Sequence, residues 1–545
     1  MYRSFFIKTI DSYYRARNSL THTIPHLHPV YYELGSWAKL NQFLPIYLEL
    51  LHTGDIPTDT HEALMKLFLG FARSLYSLQR GYRGGNWQVV GCSGLLFCAR
   101  IFPEFKEARA WDRRSIEHLM AHVEKDFYAD GCFIERCWGY GHMALDGLVK
   151  AYQGAHRHGG LGEFEAPFLR RIRQAFRWFA KTLGPNELKP AYGDCCLYSG
   201  SDILDLARPF FPKSDRCLGV DRTASYLLKP SGYAIMRNGD APDSAYLNIS
   251  FGPWWGWHSH LDTLNVNFWA QGKPLIEEVG RFGGYGEALS LLFRAPESHN
   301  VLTIDGMHFD NLDNTNRMGR APYWHSTPQV DFFTAWHHAY RAHPYEPQAV
   351  DAHIRRTVVF VKDPGYALVY DVAWEPSPVS GGPHLSITQN WHSPFPFRVA
   401  APGLVRTEGD AACLLAFARP ERLRRLEPGI DYAGNEASGG LEYPERYHLR
   451  ARLWMDVEYR GASGIATLLY PFTGEAPEVA ISPLPLDGAA SYRADAFEIV
   501  TPRGRDIIVL NPEAMAGISI ASTPFTERAL VRLDNGRGEV RVPGR

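Results

Sequence analysis

Trp254-Trp255-Gly256-Trp257-His258-Ser259-His260-Leu261-Asp262 is the stretch that decides the reading, and Glu278, Tyr285, Arg294 and the triplet Ser298-His299-Asn300 follow it closely. A packed core has no use for so many polar groups among tryptophans. The chain changes character after about residue 220: before it, apolar residues recur at helical spacing; after it, they fall in short β-branched runs. The segment reads as a site within the second, sheet-forming part.

Working back from it, residues 40–51, 62–78, 115–127, 143–156 and 169–183 carry apolar side chains three and four apart. Turn signals separate these runs, among them Gly81, Gly84-Gly85 and Asp130-Gly131. Successive helical hairpins rich in Trp and Tyr suit an α/α toroid or a helical solenoid, and no clean repeat decides between the two. Working forward, residues 245–251, 264–269, 300–305, 353–361, 366–374, 385–390, 450–459 and 497–501 are short and β-branched or aromatic. Turns such as Lys362-Asp363-Pro364-Gly365 and Asp534-Asn535-Gly536 bound them. Strands this dense, with no helices between, imply large antiparallel sheets and a β-sandwich. The Pro-rich stretches near 375–383 and 472–485 read as loops, and 415–446 as a stretch holding a long loop. The expected class is α+β, with a helical domain over 1–220 and an antiparallel β-sheet domain over 221–545 that is divisible near 400–450.

The composition fits such a protein. At 545 residues the chain is too long for one compact core, and 45% hydrophobic with 21% charged residues is ordinary for a globular protein. A net charge of −2 and a pI near 6.9 provide no global basic field for nucleic acid. Eight cysteines show neither a disulfide framework nor zinc-knuckle spacing, so they read as reduced, buried thiols. The first residues lack a signal-peptide pattern, and no run of about 18 apolar residues could span a bilayer. The expectation is a soluble, cytoplasmic chain with no membrane partner, for which an oligomer is compatible.

His260, Glu278 and His299 form a metal-ligand set, since two imidazoles and a carboxylate suit zinc first and manganese second. The competing reading makes both histidines hydrogen-bonded core residues and Glu278 a turn cap. His258 lies two residues before His260, so on a strand both would face one way, one toward a metal and the other toward a substrate as a proton acceptor. Tyr285 sits in a glycine-rich loop, where a phenol is a good acid for an alkoxide leaving group. In the helical half, Asn86 either caps the apolar run 89–102 or offers an amide to a carboxylate. Tyr140 and His142 occupy a Gly-spaced aromatic turn. Trp138, Trp254, Trp255 and Trp257 could stack on sugar faces. No Walker loop, Gly-x-Ser-x-Gly elbow or dinucleotide fingerprint is present.

Two features give the chain a resemblance to the heparinase II/III-like polysaccharide lyases. One is His258-Ser259-His260-x-Asp262, then Leu275-Ile276-Glu277-Glu278-Val279-Gly280, then the run from Phe293-Arg294 to Asp305-Gly306; the other is Asn86-Trp87 with Tyr140. The resemblance implies an incomplete N-terminal α/α toroid joined to antiparallel β-sheets. It also implies β-elimination on a uronic-acid polymer of glycosaminoglycan or alginate type. Under it, Asn86 neutralises the uronate carboxylate and Tyr140, Tyr285 and His258 carry the proton transfers. His260, Glu278 and His299 hold a structural metal, and Trp87, His142, Trp257 and Arg294 contact or brace the substrate. The chain departs from the family pattern in having Trp87 where many members have His, and Glu278 where Asp is usual. Two other classes compete: a glycoside hydrolase on the same toroid, with Asp146 and Asp194 as its carboxylates, and a binding protein without turnover.

Overall fold

The computed structural model describes residues 2–22, 27–54, 56–211, 218–256, 258–281, 288–304, 319–340, 352–374, 386–432, 445–454, 463–488 and 493–544. They cluster into two compact units. The first comprises Met1–Glu135, Gly139–Trp178 and Asp205–Lys213; the second comprises Arg136–Trp138, Phe179–Leu204 and Ser214–Arg545. The division is not a single cut of the chain, because short segments from within the helical stretch cluster with the sheets.

Among the described residues up to 200, the α-helices are α1 Tyr2–Ala16, α2 Glu33–His52, α3 Thr58–Leu78, α4 Asn86–Ile101, α5 Ala108–Lys125, α6 Trp138–Arg157 and α7 Glu165–Thr182. In α3 the buried side chains Ala63, Leu64, Leu67, Phe68, Phe71, Ala72 and Leu75 repeat at three and four, the stripe an amphipathic helix needs. Helix α4 is buried nearly all round, from Asn86 to Ala99, as a central helix must be. No helix among the described residues is long and apolar enough to cross a membrane.

The second unit is built from antiparallel sheets. A five-stranded sheet runs in spatial order Tyr226–Leu228, Tyr233–Arg237, Tyr246–Ser250, Asn265–Ala270 and Lys273–Ile276. An eight-stranded sheet runs Phe397–Ala401, Leu404–Thr407, Ala411–Phe417, Ser463–Thr473, Tyr366–Trp374, Ala352–Val361, Val330–Tyr340 and Arg320–Ser326. Arg425–Tyr432, Arg446–Trp454, Ser386–Ser393 and Leu302–Ile304 form a four-stranded sheet, and residues 480–542 carry another of five strands. Because side chains alternate along a strand, the eight-stranded sheet serves two cores. Ile354, Val358 and Phe360 join Phe268, Leu275 and Trp391 on one side, while Val359 and Val361 join Phe497 and Val531 on the other.

The Pro-rich 472–485, expected to be a loop, contains the strand Ala480–Leu484. The stretch 415–446, expected to hold a long loop, contains the strand Arg425–Tyr432, and its residues 433–444 lie outside the described residues. Both are edge strands, where a proline costs no ladder hydrogen bond on the open side. The Pro-rich 375–383 lies outside the described residues. The seven cysteines among the described residues are all buried.

His337 and His392 are buried without charge. Burial pushes both His337 and His392 down to about 3. The folded form then binds no proton between about pH 3 and 6.5 while the unfolded chain does, so stability is complete above pH 6.5 and is lost as pH falls. Each is expected to cost about 1.4 kcal/mol per pH unit in that window. Urea unfolding of the parent and of His392→Gln at pH 7 and pH 5 checks this: the variant's stability should fall less, and equal falls would contradict it.

Candidate active site and metal-ligand cluster

His258 and His260 lie in a loop region between the strands Tyr246–Ser250 and Asn265–Ala270, so strand alternation does not aim them alike. Their common direction comes from another residue. Asp194 accepts from His258 Nδ1 through Oδ2 at 2.9 Å and from His260 Nε2 through Oδ1 at 2.9 Å. Arg294 Nη2 donates to the same Oδ2 at 2.6 Å. The Asp194 amide donates to the His258 carbonyl at 3.0 Å, which docks the two loops together. Gly193 makes that approach possible: it has φ +59°, and a Cβ there would stand 2.2 Å from the His258 carbonyl oxygen. Burial alone would push the Asp194 carboxyl up, but hydrogen bonds from His258 and His260 and the Arg294 charge outweigh it and hold the group well below the usual carboxylate range.

His260, Glu278 and His299 converge. All three are buried, and one ligand atom from each lies within 4.8 Å of the others. With His260 Nε2 committed to Asp194, its Nδ1 has no hydrogen-bond partner, nor do both oxygens of Glu278 and both ring nitrogens of His299. So many unsatisfied buried atoms in one place would cost several kcal/mol if nothing met them. Burial, followed by the Asp262 charge, pushes Glu278 well above the carboxylate range, and burial pushes His299 down. Each shift disfavours a charged side chain, so the cluster suits a cation held by a carboxylate and neutral imidazoles.

The scaffold holds these loops tightly. Glu278 follows the strand Lys273–Ile276, and His299 ends the short turn Pro296–Ser298. Beside His299, the Asn300 side chain accepts from the His392 amide at 2.6 Å and donates to the Val266 carbonyl at 2.8 Å, while its own amide reaches Asn265 Oδ1 at 2.8 Å. Arg356, paired with Asp371 at 2.6 Å, donates to the carbonyls of Leu264 and Asn300. Glu277 turns the other way, toward Trp269 Nε1 and the Ala191 amide, and burial pushes it up to about 8. Arg136 donates to the Pro253 carbonyl at 2.9 Å and to Ser250 Oγ at 2.8 Å, fixing the start of the tryptophan loop. Trp254 is half-buried and Trp255 is exposed.

In the helical unit, Asn86 is the first residue of α4 and not its cap; Gly85, at φ +105°, holds the cap position. The Gly85 amide donates to Asp126 and the Asn86 amide to Glu135, both at 3.1 Å, so carboxylates already meet that helix end. The Asn86 side-chain Nδ2 reaches Met143 Sδ at 3.7 Å, a weak acceptor. Met143 stands one turn beyond Tyr140 on α6, so Asn86 and Tyr140 share a neighbourhood. Tyr140, His142 and Trp87 are each half-buried. Trp138 is no sugar platform: it is fully buried, donates to Thr182 Oγ1 at 3.1 Å and packs edge-on against Phe179. Trp257 and Tyr285 lie outside the described residues.

Two family models match this chain: heparinase II/III N-terminus over residues 42–217, and heparinase II/III-like, C-terminal, over residues 221–395. The chain belongs to the heparinase II/III family. A heparin-sulfate lyase of Bacteroides stercoris is 24% identical over 337 residues, covering 58% of this chain and 48% of that protein. Another, from Pedobacter heparinus, is 21% identical over 444 residues, covering 78% and 64%. The chain therefore spans about half the length of one curated relative and under two thirds of the other. A crystal structure of heparinase III superposes with TM-score 0.76 at 15% identity, covering 93% of this chain and 79% of that one. A heparan sulfate lyase from Pedobacter heparinus superposes with TM-score 0.66 at 18% identity, covering 93% and 78%. These likenesses establish the heparinase III fold, with its helical toroid followed by β-sandwich sheets.

Within this heparinase II/III chain, Asp194 is the site residue that sequence reasoning misplaced, as a carboxylate for the hydrolase alternative. Only the Gly193-Asp194 pair hints at a tight loop, and nothing local says that two histidines and an arginine converge on it.

Proposed function

We propose that the chain is a polysaccharide lyase that cleaves a uronic-acid-containing glycosaminoglycan of heparan sulfate type by β-elimination. The observation that carries this reading is His258 held by Asp194 beside the unsatisfied cluster His260, Glu278 and His299, in a chain of the heparinase II/III family. The names of the two curated relatives support a glycosaminoglycan over alginate.

The C5 proton of a uronate leaves only if the developing enolate-like charge on the C6 carboxylate is stabilised. The family resemblance gives that donation to Asn86, whose side-chain Nδ2 reaches the weak acceptor Met143 Sδ at 3.7 Å. With His258 Nδ1 bound to ionised Asp194, Nε2 takes the C5 proton and the carboxylate stabilises the imidazolium that results. A tyrosine, Tyr140 or Tyr285, then protonates the departing O4. In D-glucuronate the C5 hydrogen and O4 share a face, so Tyr140 could perform both steps; in L-iduronate they lie on opposite faces and His258 is the base. A divalent cation, zinc first and manganese second, would be held by His260, Glu278 and His299. It would supply the positive charge those groups lack and set the loops that carry His258 and Arg294.

The hydrolase alternative needs a carboxylic acid kept protonated near neutral pH. Asp194 is held in the opposite state, and Asp146 is paired with Lys150 at 2.7 Å. The deciding experiment incubates the protein with heparan sulfate, heparin, chondroitin sulfate, hyaluronan and alginate. New ultraviolet absorbance from an unsaturated uronate is expected on the heparan-type polymer. New reducing ends without that absorbance would overturn the proposal.

A further inference from the structure

We propose that a solvent-open cavity of about 390 Å³ on the β-sandwich binds an anionic sugar residue of the polymer away from the cleavage site. This rests on the reading that the chain acts on an acidic polysaccharide. The cavity lies where the strand Gly504–Leu510 has ended and Ala529–Leu533 begins, so Glu513 and Arg528 face the strand ends that carry Trp336, His353, Arg355 and Trp374.

Its chemistry is that of saccharide recognition. Trp336 stacks on His353 at 5.0 Å and 18°, and His353 meets Trp374 edge-on at 5.2 Å, forming a continuous half-buried aromatic wall. The C–H faces of a pyranose pack well on such a wall. Around it stand Arg355, which pairs with Glu513 at 2.7 Å; Arg528, which lies over Tyr323 at 4.3 Å and also reaches the Pro512 carbonyl; and Arg320, 5.6 Å over Trp336. Among the described lining residues, Arg355 and Arg528 stand with Glu513, and Arg320 flanks them over Trp336. Such guanidiniums suit a uronate or sulfate, which each can grip through two parallel hydrogen bonds. The overall charge of −2 gives no reason to expect nucleic acid there.

The cavity is separate from the catalytic loops. Neighbouring residues on a strand point to opposite faces. Arg356 reaches the carbonyls of Leu264 and Asn300 beside the metal-ligand cluster, while Arg355 lines the cavity, so the eight-stranded sheet lies between the two. A route around its edge strand Arg320–Ser326 exists. Ala321 lines both this cavity and a second hollow of about 460 Å³, whose wall Phe251-Gly252-Pro253 leads directly into Trp254. A long chain could lie over both, and a short oligosaccharide bound at the catalytic loops is expected to leave the aromatic wall empty.

The test compares the parent, Trp374→Ala and Trp374→Phe. Mobility is read in native gels containing heparan sulfate, and kcat/KM is read on the polymer and on a tetrasaccharide. Trp374→Ala is expected to weaken retardation and to lower kcat/KM on the polymer about tenfold, with the tetrasaccharide value unchanged. Trp374→Phe, which keeps the aromatic wall, should retain most of both, and equal thermal midpoints exclude misfolding. Equal losses on polymer and tetrasaccharide, or no retardation of the parent, would overturn the proposal. Retardation that depends on Trp374 in a protein with no eliminase activity would support the cavity while removing the proposed reaction.

Discussion

Asp194→Asn is expected to lower kcat for the unsaturated product by about 10²–10⁴-fold, the usual range for losing a positioned proton-transfer group. The side chain keeps its shape, but one of its two atoms becomes a donor. The carboxylate now accepts from His258 Nδ1, His260 Nε2 and Arg294 Nη2 at once, and an amide oxygen cannot replace that. One histidine must change tautomer or turn away, and Arg294 loses its counter-ion. A second readout separates this from general damage. Because the same residue orients His260, bound metal should fall as well, by about 10–100-fold in affinity. Metal content by mass spectrometry and kcat at saturating metal are the two measurements. Full recovery of kcat on adding metal would show that Asp194 acts only through His260 and not on His258.

Removal of the proposed cation is the second large expected effect. Treatment with a chelator is expected to lower the thermal midpoint, and zinc at a hundredfold excess over its dissociation constant should restore about 2.7 kcal/mol. His260 Nδ1, both Glu278 oxygens and both His299 nitrogens are buried and make no hydrogen bond, so they cannot turn to water without a cation. In Glu278→Gln the carboxylate charge is gone while the size is kept, and the zinc-dependent shift should vanish. Buried Glu278 without a cation is a liability, so the chelated variant is expected to be no less stable than the chelated parent. A zinc shift of equal size in both proteins would place the ion elsewhere.

Much of this was legible in advance because it is local. The stripe of α3 is written in the spacing of Leu64, Leu67, Phe68, Phe71 and Leu75, and the strand Tyr366–Trp374 in its apolar, β-rich run bounded by a turn. The His260, Glu278 and His299 set could be named because its residue types are rare together, and the fold brings them within reach of one another. What could not be read was whatever the tertiary structure decides. Asp194 comes to His258 from 64 residues away, and the Arg356 guanidinium reaches Asn300 across 56. Edge strands such as Ala480–Leu484 hide because an edge tolerates the prolines that usually mark loops. Trp138 shows the converse error, since an aromatic side chain carries the same signature whether it awaits a sugar or fills a core.

Arg356 has one further consequence. Its hydrogens hold the ends of the segments bearing His260 and His299, and it is itself anchored by Asp371 in the middle of the sandwich. The segments bearing the proposed metal ligands are thus bolted to the buried sheets, so exposed loops can change in sequence without loosening that mounting.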